Sequence, residues 1–517
     1  MPLPFTQQRR GPPDLFGNRQ LRAPRAIVIG AGIGGLAAAI DLARTGADVT
    51  IVERAHQPGG KMREIDVQGH RIDSGPTVLT MPWVFEALFA DCGTSLSDHV
   101  ELQRAEILAR HAWPGGGQLD LFGDRERSAD AIAEFAGPGH ADGFNAFCER
   151  AARIYQTLDI AFIRHPQPDL RSLITASGLR GLVDLWRLKP FRSLWNELGR
   201  YFTDPRLRSL FARYSTYCGA SPLRAPATLM LIAHVEQCGV WRVAGGMQRL
   251  ADAMASEVMR QGGEIRYGSA VHEIGMRAGR AVGVRMANDE WLPAEAVIAN
   301  VDAAGIHNGE LGPAVASAVP RMADGRRSLS AVTWSLVAET TGFELDHHNV
   351  FFPEDYPREF EEIFAQNRLP TRPAVYVCAQ DKYGNAGFGD AHQRLFMIAN
   401  APANGDRGGD HDADTAALQA AVFGLLEDCG VGITTVPEKS IITTPVEFEA
   451  RFPGTGGALY GSPPHGWRAS FARPSARSRI PGLYLAGASA HPGPGVPMVA
   501  LGGRHAARAV AGDLGLP

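Results

Sequence analysis

A chain of 517 residues that is 45% hydrophobic and 21% charged has ordinary globular values, which excludes a largely disordered polymer and leads one to expect two interleaved units rather than one core. The net charge of −4 gives no basic field of the kind that gathers nucleic acid, and no run approaches the ~20 consecutive apolar residues that a bilayer-spanning helix needs. The six cysteines stand apart with no CxxC pair, so neither a metal site nor a disulfide framework is suggested and a reducing cytoplasm fits best.

Residues 1–24 read as a loose leader, because Arg9 and Arg10 run into Gly11, Pro12, Pro13 and Asp14 where a secretory signal would need an apolar stretch. Ala26 to Ile29 is a short apolar run suited to a buried parallel strand, and it enters Gly30-Ala31-Gly32-Ile33-Gly34-Gly35. Helix formers follow from Leu36 to Ala43, closed by Gly46, and a second strand from Asp48 to Val52 delivers Glu53. Gly30 permits the tight turn, Gly32 lets the backbone approach a pyrophosphate at the helix N-terminus, and Gly35 allows close packing of helix on strand. Glu53 comes 21 positions after Gly32, where a carboxylate accepts from ribose hydroxyls. Strand, glycines, helix, strand and acid in that order predict a bound dinucleotide, without choosing between NAD and FAD.

Beyond Glu53 come Arg54 and Pro58-Gly59-Gly60-Lys61-Met62, then Gly69 to Pro82, which includes Gly75, Pro76 and Thr77. Residues 179–202 alternate Leu, Trp and Phe with Arg and Lys around Pro190, the composition of a basic amphipathic helix pair that either touches a membrane or packs on the core. Gly245-Gly246-Met247 opens another helix, Glu264 to Tyr267 with Val271 and Ile274 follow as strands, and Val282 to Met286 with Ala296 to Ala299 reads as a β-meander turning at Asn288-Asp289. Ala331 to Val337 and Leu395 to Ala399 read as further strands. At the far end, Pro481-Gly482-Leu483-Tyr484-Leu485-Ala486-Gly487 reads as turn, strand and glycine. His491 to Met498 and a small-residue helix from about Ala500 to Val510 complete the chain. No Ser-His-Asp spacing, HExxH or metal-ligand cluster is visible, and His491 reads as structural.

Four patches carry a family resemblance. The Gly-Gly-basic element at Gly59-Gly60-Lys61 and the C-terminal block with Gly487 and Gly495-Val496-Pro497-Met498 resemble flavoproteins of the amine oxidase and desaturase superfamily, which makes the dinucleotide FAD. Gly69 to Pro82 is similar to the matching segment of bacterial-type phytoene desaturases. The stretch from Arg213 to Pro222, on through Ala225 to Thr228, His234 to Glu236 and Gly239 to Trp241, resembles the hydroxycarotenoid 3,4-desaturase branch, also called methoxyneurosporene dehydrogenases.

The resemblance implies an α/β fold with a discontinuous Rossmann-like FAD-binding domain made of residues 25–77, 241–302 and 476–517. An α+β substrate domain would then comprise 78–240 and 303–475. It implies that Gly30, Ala31, Gly32, Gly34, Gly35, Glu53, Arg54, Gly60, Lys61, Gly75, Pro76, Thr77, Gly487 and Gly495 to Met498 surround FAD, with Val271 touching the adenine through its backbone. The implied activity is insertion of a C3–C4 double bond into an acyclic C40 carotenoid with a 1-hydroxy or 1-methoxy end, by hydride transfer to flavin N5 and loss of the adjacent proton. No carbonyl acidifies either carbon, so orientation and dryness matter more than a strong base, and no catalytic residue is singled out. A cytoplasmic protein resting on the inner or photosynthetic membrane, reoxidised by quinone or O2, completes the expectation. The alternatives are a phytoene desaturase or another acyclic carotenoid desaturase, an amine oxidase, and a non-enzymatic isoprenoid escort protein on the same scaffold.

Overall fold

The computed structural model describes residues 23–167, 191–321, 327–383, 392–409, 411–466, 469 and 472–517; the leader, apart from Ala23 and Pro24, lies outside them. The strand Arg25–Ile29 is the middle of a five-stranded parallel sheet in the order Leu483–Leu485, Ala296–Ala299, Arg25–Ile29, Asp48–Val52, Glu264–Arg266. Side chains alternate across a strand, so Ala26 and Val28 face one layer while Ile27 and Ile29 face the other. The first layer is helical: Ile33–Arg44, Gln248–Arg260 and Val496–Leu514 share one buried cluster with Ala26 and Val28. The second is an antiparallel sheet of Val271–Arg277, Arg280–Met286 and Trp291–Pro293, which buries Ile274, Val284 and Met286 against Ile27 and Val297. Coverage on both faces is why these strands are apolar throughout.

Two sequence expectations are corrected here. Ala296–Ala299 does not continue the meander: all four residues are buried, and the strand leaves Trp291–Pro293 to pair in parallel with Arg25–Ile29. The C-terminal helix begins at Val496 and runs to Leu514, because Pro497 is accommodated in the first turn, where its missing N–H costs nothing. This helix packs on Ile33–Arg44 at glycine distance. A Cβ on Gly503 would stand 2.0 Å from the Gly34 carbonyl oxygen, and buried Arg504 donates to Asp41 at 2.9 Å and also to Asp91. Residues 463 positions apart thus lock the two ends of the chain together.

A second, larger sheet stands beside this unit. Its strands run in the order Val431–Thr434, Ser330–Gly342, His392–Ala401, Val375–Ala379, His348–Phe351, Ile107–Ala112, Gln118–Phe122, and Ser440–Thr443 also pairs with Ser330–Gly342. The hairpin Glu64–Val67 and His70–Asp73 joins the two: Val67 and Ile72 pack with Val337, Cys378 and Phe396, and Ser74 Oγ meets Ser335 Oγ at 2.6 Å. Helices Pro138–Leu158, Pro205–Ala212 and Leu231–Cys238 form an aromatic-rich layer over the other end of the sheet.

Of the predicted amphipathic pair, residues 179–190 lie outside the described residues. The remainder contains only the short helix Leu194–Leu198, and Leu194, Leu198 and Phe202 are buried in the aromatic layer. Those three belong to the core, whereas Phe191 at the start of the described remainder is exposed. Among the described residues, no helix is long and apolar enough to cross a membrane.

Candidate active site

A single cavity of about 960 Å³ runs from the carboxyl ends of the parallel strands to the face of the larger sheet. Two helices end at it without caps. Ile33–Arg44 starts from Gly32 and Val496–Leu514 from Gly495, and neither has a side-chain cap nor an acidic residue in its first turn. Orphan N–H groups and the positive ends of two dipoles therefore face one space, the arrangement that accepts a pyrophosphate at one end and an electron-rich ring at the other. The glycines between them are obligatory: a Cβ on Gly35 would sit 2.1 Å from the Gly30 carbonyl oxygen, and Gly30 itself has φ +96°.

Glu53 is held at the edge of this cradle by the chain around it. One carboxylate oxygen accepts from Ala31 N at 2.6 Å and the other from Ala55 N at 2.8 Å, which aims a buried carboxylate along the cavity wall. Asn300 was not singled out from the sequence. It follows directly on Ala296–Ala299, donates from Nδ2 to the Gly30 carbonyl at 3.1 Å, and sets Oδ1 within 3.0 Å of where Cβ atoms on Gly34 and Gly487 would stand. One amide side chain thereby spaces two glycine loops, Gly30 to Gly35 and the one at Gly487. The available signal was its place at the end of a parallel strand, where α/β sheets bind ligands.

Farther along, half-buried Lys61 donates to the Leu459 carbonyl at 2.6 Å; burial draws its pKa down and Asp302 opposes the change. Thr77 Oγ1 and Tyr376 Oη are 2.6 Å apart, and Tyr376 Oη lies 2.7 Å from His348 Nδ1. Asp73 anchors the Gly75-Pro76-Thr77 stretch from behind by accepting from Met247 N at 2.7 Å, and burial raises its pKa to about 6. Arg473, also missed, fastens the C-terminal loop by donating to the carbonyls of Ala488, Ser462 and Tyr460 at 2.7, 2.9 and 3.2 Å.

Of the residues picked from the sequence, all but Ala31 and Gly35 line the cavity, and those two stand directly behind its wall. Arg54 and Gly60 are exposed at its rim, and Val271 borders it beside Ser269 and Ala270. His491 stays behind Pro492: its ring nitrogen Nε2 lies 2.9 Å from the His165 carbonyl oxygen, and burial lowers its pKa to about 4, so it is neutral.

The rest of the cavity is a chamber walled by Leu229, Ile232, Val235, Phe352, Phe396 and Ile398. Thr216, Thr228, Thr333 and Asn400 add polar atoms to the lining, and one ionic group stands among them. Arg213 donates to Tyr217 Oη at 2.6 Å and to both oxygens of Glu236 at 3.1 and 3.3 Å, while Tyr217 and Tyr214 also donate to Glu236. Burial alone would pull the guanidinium down, but the Glu236 carboxylate overrides it and holds Arg213 charged.

Residues 33–511 match the family profile described as flavin containing amine oxidoreductase. A hydroxyneurosporene desaturase of Rubrivivax gelatinosus is 49% identical over 495 residues, covering 96% of this chain and 94% of the relative. A hydroxyneurosporene desaturase of Cereibacter sphaeroides is 42% identical over 492 residues, 95% of this chain and 98% of the relative. Among solved structures, a putrescine oxidase bound to putrescine superposes with a TM-score of 0.58 at 15% identity, over 95% of this chain and 99% of the other, a likeness of fold.

Proposed function

The chain belongs to the flavin containing amine oxidoreductases, on their carotenoid desaturase branch, and from that premise we propose that it inserts the C3–C4 double bond into acyclic 1-hydroxy or 1-methoxy carotenoids such as 1-hydroxyneurosporene. It is an FAD-dependent oxidoreductase. The observation that carries the substrate reading is the lining of the cavity: a glycine-lined cradle between two uncapped helix ends opens into a mostly apolar chamber.

FAD would be held by Gly30 to Gly35 at its pyrophosphate, by Glu53 at its ribose and by Val271 at its adenine, with Lys61, Gly75 to Thr77, Gly487 and Gly495 to Met498 around its ring. When bound, it supplies the acceptor for a hydride equivalent. The protein's own contribution is positional. Phe352, Phe396 and Ile398 hold a stiff polyene in one line and keep water away, and Thr77 and Tyr376 close the wall beside the cradle. The hydrogens leave from neighbouring carbons that no carbonyl acidifies, so the chamber needs no strong base.

Carotenoids dissolve in bilayers, and the segments that line the chamber carry exposed apolar side chains nearby, Ile160 at 75% and Phe191 at 70% exposure. This supports work at the cytoplasmic surface of a membrane, with quinone or O2 accepting the electrons afterwards.

The test is expression in bacteria that make 1-hydroxyneurosporene and, separately, phytoene. The expected outcome is loss of two hydrogens and a red-shifted pigment on the hydroxylated carotenoid alone. Conversion of colourless phytoene instead would replace this substrate by the earlier one.

A further inference from the structure

The buried ionic group in the chamber has no evident use for a hydrocarbon. A polyene pressed against it would leave charged and hydroxyl groups without water or partner, which is costly in an apolar enclosure. Counting its hydrogen bonds shows what it lacks. Glu236 already accepts from Arg213, Tyr214 and Tyr217, and Tyr217 Oη accepts from Arg213, so the carboxylate is fully engaged. Arg213 carries five N–H donors. Its Nε has no partner among the described residues but is enclosed by the protein, whereas one hydrogen of Nη1 is uncommitted and is the donor left for a ligand. The group has donors to spare and calls for an acceptor.

On the substrate reading above, we propose that Arg213, Tyr217 and Glu236 form the subsite that holds the oxygen at C1 of the carotenoid end group and set the preference for oxygenated over hydrocarbon ends. A hydroxyl and a methoxy oxygen both offer lone pairs, whereas a hydrocarbon end offers none, so the donor surplus admits the two oxygenated substrates and disfavours the third. Position agrees with chemistry. C1 is two bonds from C3, so its oxygen must lie within about 4 Å of the reacting carbon on ordinary bond lengths. The subsite must therefore border the redox centre. Tyr217 and Tyr376 both line the cavity, and Tyr376 is hydrogen-bonded to Thr77 in the stretch that walls the cradle. All three residues of the group line the same cavity as Thr77 and Gly495.

The experiment compares kcat/KM for a 1-hydroxy carotenoid and for the matching hydrocarbon, using FAD-loaded wild type and Arg213→Lys, whose three donors keep the charge beside Glu236 and Tyr217 but leave none to spare, with flavin absorbance confirming that each is folded. The wild type is expected to prefer the hydroxylated form by about 100-fold or more, and Arg213→Lys to reduce that ratio by about 10-fold. A wild type that takes both ends equally overturns the subsite without any variant. A ratio unchanged in Arg213→Lys, even with lower turnover on both, assigns the group a purely structural role and also overturns it. If FAD-loaded wild type converts neither carotenoid, the substrate reading itself has failed, a result distinct from an altered ratio.

Discussion

At the glycine-lined end of the cavity the groups offered to a ligand are main-chain N–H of the turns at Gly32 to Gly34 and at Gly495, Val496 and Met498, placed by glycines where a Cβ would crowd its neighbours, as at Gly34, or where φ is positive, as at Gly495. At the chamber end they are side chains: a buried guanidinium, a carboxylate and two phenols, set among apolar walls. Backbone donors cost no rotamer entropy and come with the turn, so the first end needs little beyond local geometry. Side-chain donors must be held by one another, and the second end stands only while each partner is present. On the proposed reading, the protein meets a polar cofactor largely with its main chain, helped by Glu53 and Lys61, and an apolar substrate with side chains.

The sharpest way to break this contrast is at Gly35. Because the offending atom is the backbone oxygen of Gly30, Gly35→Ala cannot be absorbed by a side-chain shift. It is expected to cost at or above the ~3 kcal/mol upper range of overpacking and to yield protein without bound FAD, read from the flavin absorbance of the purified chain. At the other end, Glu236→Ala leaves Arg213 as an uncompensated buried charge, and a loss of about 3 to 5 kcal/mol in urea unfolding is expected. A loss below about 1 kcal/mol would mean that water reaches the group and that the two ends are less different than they look.

The smallest effect concerns acid. His491 and His505 stack at 6.2 Å, and burial lowers their pKa values to about 4 and about 3. A base whose folded pKa lies below its unfolded value of about 6.5 adds no penalty above that pH. As pH falls below 6.5 the unfolded chain takes up protons first, so stability declines until the folded pKa is reached. Unfolding midpoints should therefore drop between pH 6.5 and 4, by up to about 3 kcal/mol for His491, and the slope should flatten in His505→Leu. An unchanged slope in that variant would show that the pair is already open to solvent.

What the sequence determined by itself was whatever depends on neighbours in the chain. Gly30 to Gly35 followed by Glu53 could be read because the carboxylate closes back on Ala31 only 22 positions away and the glycines serve a turn within the same motif. The strand at Ala296–Ala299 was recognisable as a strand but not as a member of the parallel sheet, since an apolar run of four does not say which sheet will bury it. Only the tertiary structure decided the rest. Asn300 touches loops 270 positions away and Arg473 fastens carbonyls of two separate turns. The Arg213 group needs an arginine and a glutamate from different helical segments to be buried together before either has meaning. Long-range pairing of this kind leaves no period or spacing in the sequence, because the chain separation between partners is set by the intervening fold and not by the contact itself.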